Sequence, residues 1–139
     1  MSEEASIFTK IVRGELPCYK LYEDEQTLAF LDINPVVKGH CLVICKEQYQ
    51  YIEQVPAEKL AALIQSVQKV GRAMKDALGC KDYNLIVNNG PNAGQDVPHV
   101  HFHIIPRELG DGLKAHWKQG ELNKDDAKAL VAIVHKALS

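Results

Sequence analysis

The chain has 139 residues, of which 46% are hydrophobic and 24% charged, and its formal net charge is −2. This composition predicts one globular domain over residues 1–139 with a sizeable core. The charge offers no basic footprint for nucleic acid, and no apolar run is long enough to cross a membrane. The first residues are acidic and do not resemble a secretion signal, so we expect a location in the cytoplasm, with the nucleus as the alternative.

The N-terminal third predicts a short helix and three strands after a flexible tail over 1–5. Ser6 is a suitable N-cap for a helix over 7–13, which Gly14 would end. Runs of branched and aromatic residues between turn formers predict strands. They cover 19–23, 27–32 and 41–45.

Two helices with apolar sides are predicted farther along the chain. Pro56 suits the first turn of a long helix and Gly79 its end, and apolar residues recur between them at helical spacing. Such a stripe is typical of a core or a dimer contact. A final helix is expected to begin at the cap Asn123. Short strands around one long helix indicate an α+β fold with an antiparallel sheet covered on one face.

The most informative stretch is 99–105, where three histidines alternate with large apolar residues. This period of two predicts a strand bounded by Pro98 and Pro106, with successive imidazoles on one face about 6.6 Å apart. Because imidazole changes charge near neutral pH, such a row can supply a neutral nucleophile beside cationic donors, which suits attack on a phosphate. The histidines are His99, His101 and His103.

Two other interpretations of this row stay open. Imidazoles two residues apart on a strand can bind one zinc ion, which then needs a third protein ligand such as His40 or a carboxylate. The row could also be the solvated face of an ordinary strand. The preceding loop, 88–96, favours phosphate, because it brings amide side chains and backbone N–H groups next to the histidines.

The run 99–105 and its surroundings resemble the histidine triad family of nucleotide-binding proteins. The family's motif is matched over 99–105, and the resemblance extends from Ser6 to Trp117. It is greatest to the branch that hydrolyses adenosine 5′-monophosphoramidates, although a dinucleoside polyphosphate hydrolase branch has the same triad. The resemblance implies a five-stranded sheet in each subunit and a homodimer that joins two sheets into ten strands.

The resemblance also implies roles for the polar residues. The middle histidine, His101, would be the nucleophile. His99 and His103 would bind and polarise phosphate oxygens, and Asn88 and Gln95 would hold the phosphate as well. His101 would attack the α-phosphorus, and water would then cleave the nucleotidyl-histidine to release AMP. No metal and no cofactor is needed for this chemistry.

The nucleoside half of the substrate would lie against other residues. Asp32 would accept hydrogen bonds from the ribose hydroxyls, because a carboxylate offers only acceptors. Without the family, Asp32 is more simply a turn aspartate and the apolar residues are ordinary core. The purine pocket would consist of Ile7, Phe8, Ile11, Phe30 and Ile33, with Leu31 where relatives often have a polar residue.

The chain departs from the family at two places. Ser6 and Thr9 stand where many relatives have two cysteines that bind structural zinc with histidines, so we expect that zinc site to be absent, His40 to be structural and His99 to face phosphate. Asp96 stands where the phosphoramidase branch usually has serine. An anion near phosphate is unfavourable unless it points away or pairs with a cation, which leaves the preferred leaving group open.

Three hypotheses of different classes follow. The first is a hydrolase of purine nucleotide phosphoramidates, with a dinucleoside polyphosphate hydrolase as its nearest alternative. The second is a nucleotide-binding interaction module with little catalysis. The third is a metalloprotein that uses the histidine row.

Overall fold

The computed structural model describes residues 4–114 and 117–139, so residues 1–3 of the predicted tail lie outside the described part. The strands form one antiparallel sheet in the order β1-β2-β3-β5-β4. This confirms the predicted α+β fold with a five-stranded antiparallel sheet. The helices are α1 Ile7–Val12, α2 Ala57–Leu78 and α3 Lys124–Leu138; the strands are β1 Lys20–Glu23, β2 Thr27–Leu31, β3 Cys41–Cys45, β4 Asp82–Val87 and β5 His101–Arg107.

The helix ends follow the capping residues that the sequence indicates. The Ser6 hydroxyl accepts a hydrogen bond from the Thr9 backbone N–H at the start of α1, and the Asn123 side chain caps α3 in the same way. Gly79 ends α2 in the left-handed conformation with φ 67°, where a residue without Cβ has no steric cost. Pro56 differs by one position, since it is the N-cap of α2 rather than part of its first turn.

The two faces of the sheet carry different structures. On one face, Val43 and Phe102 pack with Leu63 and other apolar residues of α2 in the main core. On the other face, Phe8 of α1 covers a smaller cluster that includes Phe30. β5 pairs with β3 so that His101 lies opposite Ile44 and His103 lies opposite Leu42. Because Ile44 and Leu42 belong to the smaller cluster, these two histidines lie on the α1 face.

β5 differs from the predicted strand at both ends. It begins at His101, because the His99 N–H donates to Val97 O and the Val100 N–H donates to Tyr49 O instead of joining the sheet. It continues through Pro106 to Arg107. β3 pairs with β5 only as far as Ile104, so Pro106 has a single strand neighbour, as proline at a sheet edge does.

The predicted apolar side of α3 is exposed in the single chain. No side chain of α3 is buried, and five of its large apolar residues are exposed. Edge strand β4 also exposes Leu85 and Ile86. None of the helices within 4–114 and 117–139 combines the length and the hydropathy that crossing a bilayer requires. The exposed residues of α3 are Leu130, Val131, Ile133, Val134 and Leu138.

Candidate active site

A cavity of about 560 Å³ lies on the α1 face of the sheet. Its volume is within the range of about 300–1,000 Å³ that is typical of small-molecule sites. Most of the sequence-predicted site residues line it, which brings together α1, β2 and β5. These lining residues are His101, His103, Asp32, Ile7, Phe8, Ile11, Phe30, Leu31 and Ile33.

The imidazole of His101 is held with one nitrogen bonded to the backbone and the other directed at the cavity. Its Nδ1 lies 2.7 Å from the backbone oxygen of His99, and because a carbonyl only accepts hydrogen bonds, Nδ1 must carry the proton. In the neutral tautomer that this bond selects, Nε2 has the lone pair. The ring of Phe8 stands edge-on to the imidazole with centroids 5.0 Å apart, which fixes the plane of the ring. This arrangement suits a nitrogen nucleophile.

His103 is the end of a short hydrogen-bonded chain. The Val36 N–H donates to His40 Nδ1 over 3.1 Å, and His40 Nε2 is 2.9 Å from His103 Nδ1. His40 therefore donates from Nε2 to His103, which keeps its own proton on Nε2. Burial, followed by the charges of His101 and His40, lowers the pKa of His103 to about 4. His103 is thus a neutral hydrogen-bond donor at neutral pH.

His99 lies behind the cavity instead of lining it. Its Nε2–H donates to Cys45 O at 2.7 Å, and its Nδ1 accepts from the Ser6 hydroxyl at 2.8 Å. The side chain is fully buried, and burial lowers its pKa. Both ring nitrogens are occupied, so the structure differs from the expectation that His99 contacts phosphate. His99 stays on the α1 face, where its ring packs edge-on against Phe8, but its contacts with Ser6 and Cys45 hold it behind that ring and away from the cavity.

Ser6 and Thr9, which stand where the family resemblance implies zinc-binding cysteines in many relatives, belong to a hydrogen-bonded cluster. The oxygen of Gln48 accepts hydrogen bonds from the Ser6 N–H and the Thr9 hydroxyl, both at 2.7 Å, and Ser6 also contacts His99. Neutral hydroxyls and an amide are weak zinc ligands compared with thiolates. Sequence analysis did not identify Gln48, because nothing local in the chain indicates a contact with residues about 40 positions away.

Three other residues could hold a metal ion. One ligand atom from each of Asp32, His40 and His103 lies within 4.8 Å of the others. Two of them, His40 and the carboxylate of Asp32, are of the kinds that the metal interpretation named for the third ligand. In the described residues the same atoms are engaged with one another: His40 Nε2 is 3.4 Å from Asp32 Oδ2 as well as bonded to His103. A metal would have to replace that hydrogen bond, so the metal hypothesis still requires a test.

The loop before the histidines contributes one carboxylate to the wall of the cavity. Asp96 lines it, with Oδ1 3.5 Å from His101 Nε2. Gln95 is buried beside the site and donates to Gln50 O at 2.7 Å. Asn88 is held near Gly94 O at 3.5 Å. Neither amide lines the cavity, so their contact with a phosphate stays a prediction.

Sequence analysis missed several residues of the wall. They come from the segment after α1, the turn after β2, β3 and the loop before His99, and no local pattern distinguishes them from other surface or core positions. They are Leu16, Pro17, Cys18, Tyr19, Asn34, Leu42 and Val97.

The chain is similar to named proteins over most of its length. Adenosine 5′-monophosphoramidase hnt1 of Schizosaccharomyces pombe is 44% identical over 125 residues, which are 89% of this chain and 91% of that protein. Adenylylsulfatase HINT3 of Arabidopsis thaliana is 43% identical over 122 residues, which are 88% of this chain and 60% of that protein. The crystal structure of SMU.412c from Streptococcus mutans UA159 has 36% identity and a TM-score of 0.92, covering 99% of this chain and 88% of that one.

The sequence model of the HIT domain matches residues 13–110. This span includes Asp32, His40 and the whole histidine row, and leaves out α1 and α3. These two relatives are named as hydrolases, and in this chain two imidazoles of the histidine row line the cavity. This chain therefore belongs to the HIT domain family.

Proposed function

We propose that the protein hydrolyses purine nucleoside phosphoramidates, such as adenosine 5′-monophosphoramidates, and releases AMP. The observation that carries the proposal is the fixed tautomer of His101, whose Nδ1–H donates to His99 O and whose Nε2 keeps its lone pair at the cavity. The name of the S. pombe relative supports the choice of substrate.

The reaction proceeds in two displacements at phosphorus. His101 Nε2 attacks the α-phosphorus, the P–N bond of the substrate breaks, and the amine leaves with a proton. Water then attacks the same phosphorus, the bond to Nε2 breaks, and AMP is released. The net change is the addition of one water across the P–N bond. The Nε2–H of His103 donates to the phosphoryl oxygens and stabilises their negative charge.

The remaining residues bind and orient the nucleotide. The purine lies against Phe8, Phe30 and their apolar neighbours, and Asp32 accepts hydrogen bonds from the ribose. His99 acts through its backbone oxygen, which holds the His101 tautomer. Asn88 and Gln95 support the phosphate from the loop. In this scheme His40 is a positioning residue, because it contacts His103 and not the substrate.

The test is substitution of the nucleophile in a metal-stripped preparation. His101→Ala should lower turnover of an adenosine phosphoramidate at least about a thousandfold, equivalent to about 4 kcal/mol of barrier. Affinity for AMP, measured by calorimetry, should change far less, because the binding contacts do not depend on nucleophilicity. His135→Ala on the exposed part of α3 is the matched control and should retain turnover.

Each alternative predicts a different result. Near-wild-type turnover by His101→Ala would exclude His101 as the nucleophile. Loss of wild-type turnover in chelator, with recovery on adding a divalent metal, would support the metalloprotein. Faster wild-type cleavage of diadenosine polyphosphates would support the polyphosphate hydrolase. AMP binding without turnover of either substrate class would support the interaction module.

A further inference from the structure

The charges around the cavity are unusual for a site that receives a phosphate. Two carboxylates, Asp32 and Asp96, line it together with His101 and His103. No lysine or arginine is among the lining residues of the described chain. Since His103 is a neutral donor, its contribution is a hydrogen bond and not a full positive charge. The described cavity therefore offers no fixed cation to a polyanionic substrate.

The two carboxylates differ in how firmly they are held. Asp32 is 18% exposed, accepts a hydrogen bond from the Asn34 N–H at 2.8 Å, and lies 3.4 Å from His40 Nε2. Asp96 is 81% exposed. Within the described residues, the close polar contact recorded for its carboxylate is His101 Nε2, at 3.5 Å. Asp96 is thus a carboxylate at the rim of the cavity, next to the attacking atom and able to turn.

The position of Asp96 points to an interaction between its carboxylate and the leaving group. When phosphorus approaches His101 Nε2, the carboxylate must turn aside, because its oxygen is 3.5 Å from that nitrogen. If the nucleoside lies against the apolar lining, as in the proposed function, the leaving group extends from phosphorus toward the exposed rim where Asp96 lies. The nitrogen of the leaving amine must be protonated for the P–N bond to break, and a nearby carboxylate favours the positive charge that it carries until the bond is broken.

We propose that Asp96 determines leaving-group specificity, favouring AMP conjugates of cationic amines and disfavouring conjugates whose leaving group is anionic. This inference rests on the proposed function. A second positive charge on the amine is attracted to Asp96, whereas a carboxylate, sulfate or polyphosphate is repelled and meets no compensating cation in the described cavity. It also predicts that adenylyl sulfate, the substrate class named for the A. thaliana relative, is a poor substrate here.

The experiment compares leaving groups of matched length and different charge. Adenosine 5′-phosphoramidates of 1,3-diaminopropane, butylamine and β-alanine carry a cationic, a neutral and an anionic end. For the wild-type protein we expect kcat/KM for the cationic conjugate to exceed that for the anionic conjugate about tenfold, since each exposed charge interaction changes a rate up to about fivefold. The ratio should decrease with added salt.

Two variants at this position isolate the charge. Asp96→Asn and Asp96→Ser should reduce the ratio to within about twofold, whatever their effect on the overall rate. Asp76 is an exposed position on α2, on the face of the sheet opposite the cavity. Asp76→Asn makes the same change in net charge and should retain the ratio between the cationic and anionic conjugates. A wild-type ratio near one, or a ratio that survives in both Asp96 variants, would overturn the proposal.

Failure of the proposed function gives a different result. If the wild-type protein hydrolyses none of the three conjugates, the reaction is wrong, but charge preference can still be measured as binding. Calorimetric affinities of the same conjugates for His101→Ala should then follow the order cationic, neutral, anionic. Equal affinities would overturn the role of Asp96 independently of catalysis.

Discussion

The three histidines of the row have three different hydrogen-bonding environments. His101 donates to a backbone oxygen and keeps a free nitrogen at the cavity, His103 accepts from His40, and His99 uses both nitrogens inside the protein. From their alternation in the sequence alone, the three residues are expected to have equivalent environments. The structure divides them into one with a ring nitrogen at the cavity, one bonded to a second histidine, and one whose side chain is buried behind the cavity.

The buried imidazoles make stability depend on pH. Burial lowers the pKa of His103 to about 4 and also lowers the pKa values of His40 and His99. The unfolded chain therefore binds protons below about pH 6.5 that the folded chain does not bind, so the free energy of unfolding should decrease as pH falls from about 6.5 to 5. This window lies above the range in which carboxylates protonate.

Urea unfolding of the wild-type protein and of His103→Asn measures this dependence. The wild-type midpoint should decrease across the window, and the slope should be smaller in the variant because one depressed imidazole is removed. A wild-type midpoint that stays constant or increases between pH 6.5 and 5 would contradict the prediction.

At the scale of elements, α1 is a six-residue helix held by side chains of other elements. Ser6 caps it and contacts His99, while Thr9 contacts Gln48. Phe8 places its ring against both Phe30 and His101. Since a helix of this length is not stable alone, these contacts determine where the apolar wall of the cavity stands.

Ser6→Ala tests how strongly this connection stabilises the protein. The variant loses an N-cap, which costs about 1 kcal/mol, and leaves a buried ring nitrogen of His99 without its donor, which costs about 1–3 kcal/mol more. Asn123→Ala is the matched control, because it removes the cap of α3 without a buried partner. Chemical denaturation should show the larger loss for Ser6→Ala. Equal losses would mean that the contact with His99 contributes nothing measurable.

At the scale of the whole molecule, the described part of the single chain exposes apolar side chains on a helix and on an edge strand. The helix is α3, on the side that includes Leu130 and Val134, and the edge strand is β4 with Leu85 and Ile86. An isolated helix of 15 residues is marginal in water, and a flat apolar edge strand favours pairing with another chain. Both features agree with the homodimer that the family resemblance implies.

We predict a stable homodimer at micromolar concentration, measured by sedimentation velocity. Leu130→Glu should weaken the dimer more than tenfold, because a charge would replace an apolar contact. Lys128→Glu, an exposed charged position on the same helix, controls for the new carboxylate and should leave the dimer largely intact. A wild-type monomer at micromolar concentration would contradict the prediction.

Three further predictions concern the whole chain: its domain organisation, its location and its metal content. The family match covers 13–110, so a single domain over 1–139 remains a prediction, and so does the cytoplasmic location. Measurement of zinc in the purified protein would test the expectation that Ser6 and Thr9 leave the site without a structural metal.

The sequence by itself determined the elements and the type of chemistry. Alternation places His101 and His103 on one face of a strand because side chains of a strand point to opposite faces in turn, and Ser6, Gly79 and Asn123 end helices through local backbone interactions. These signals act within a few residues, so they can be recognised without the fold.

Only the tertiary structure decided how the residues of the candidate site are arranged. The contacts of His99 with Ser6 and Cys45, of His103 with His40, and of Gln48 with α1 join residues 39 to 93 positions apart. No local pattern encodes such pairs, because they depend on which strands become neighbours and in which register. The same packing brings the Asp96 carboxylate next to Nε2 of His101, across a turn whose geometry the sequence did not predict.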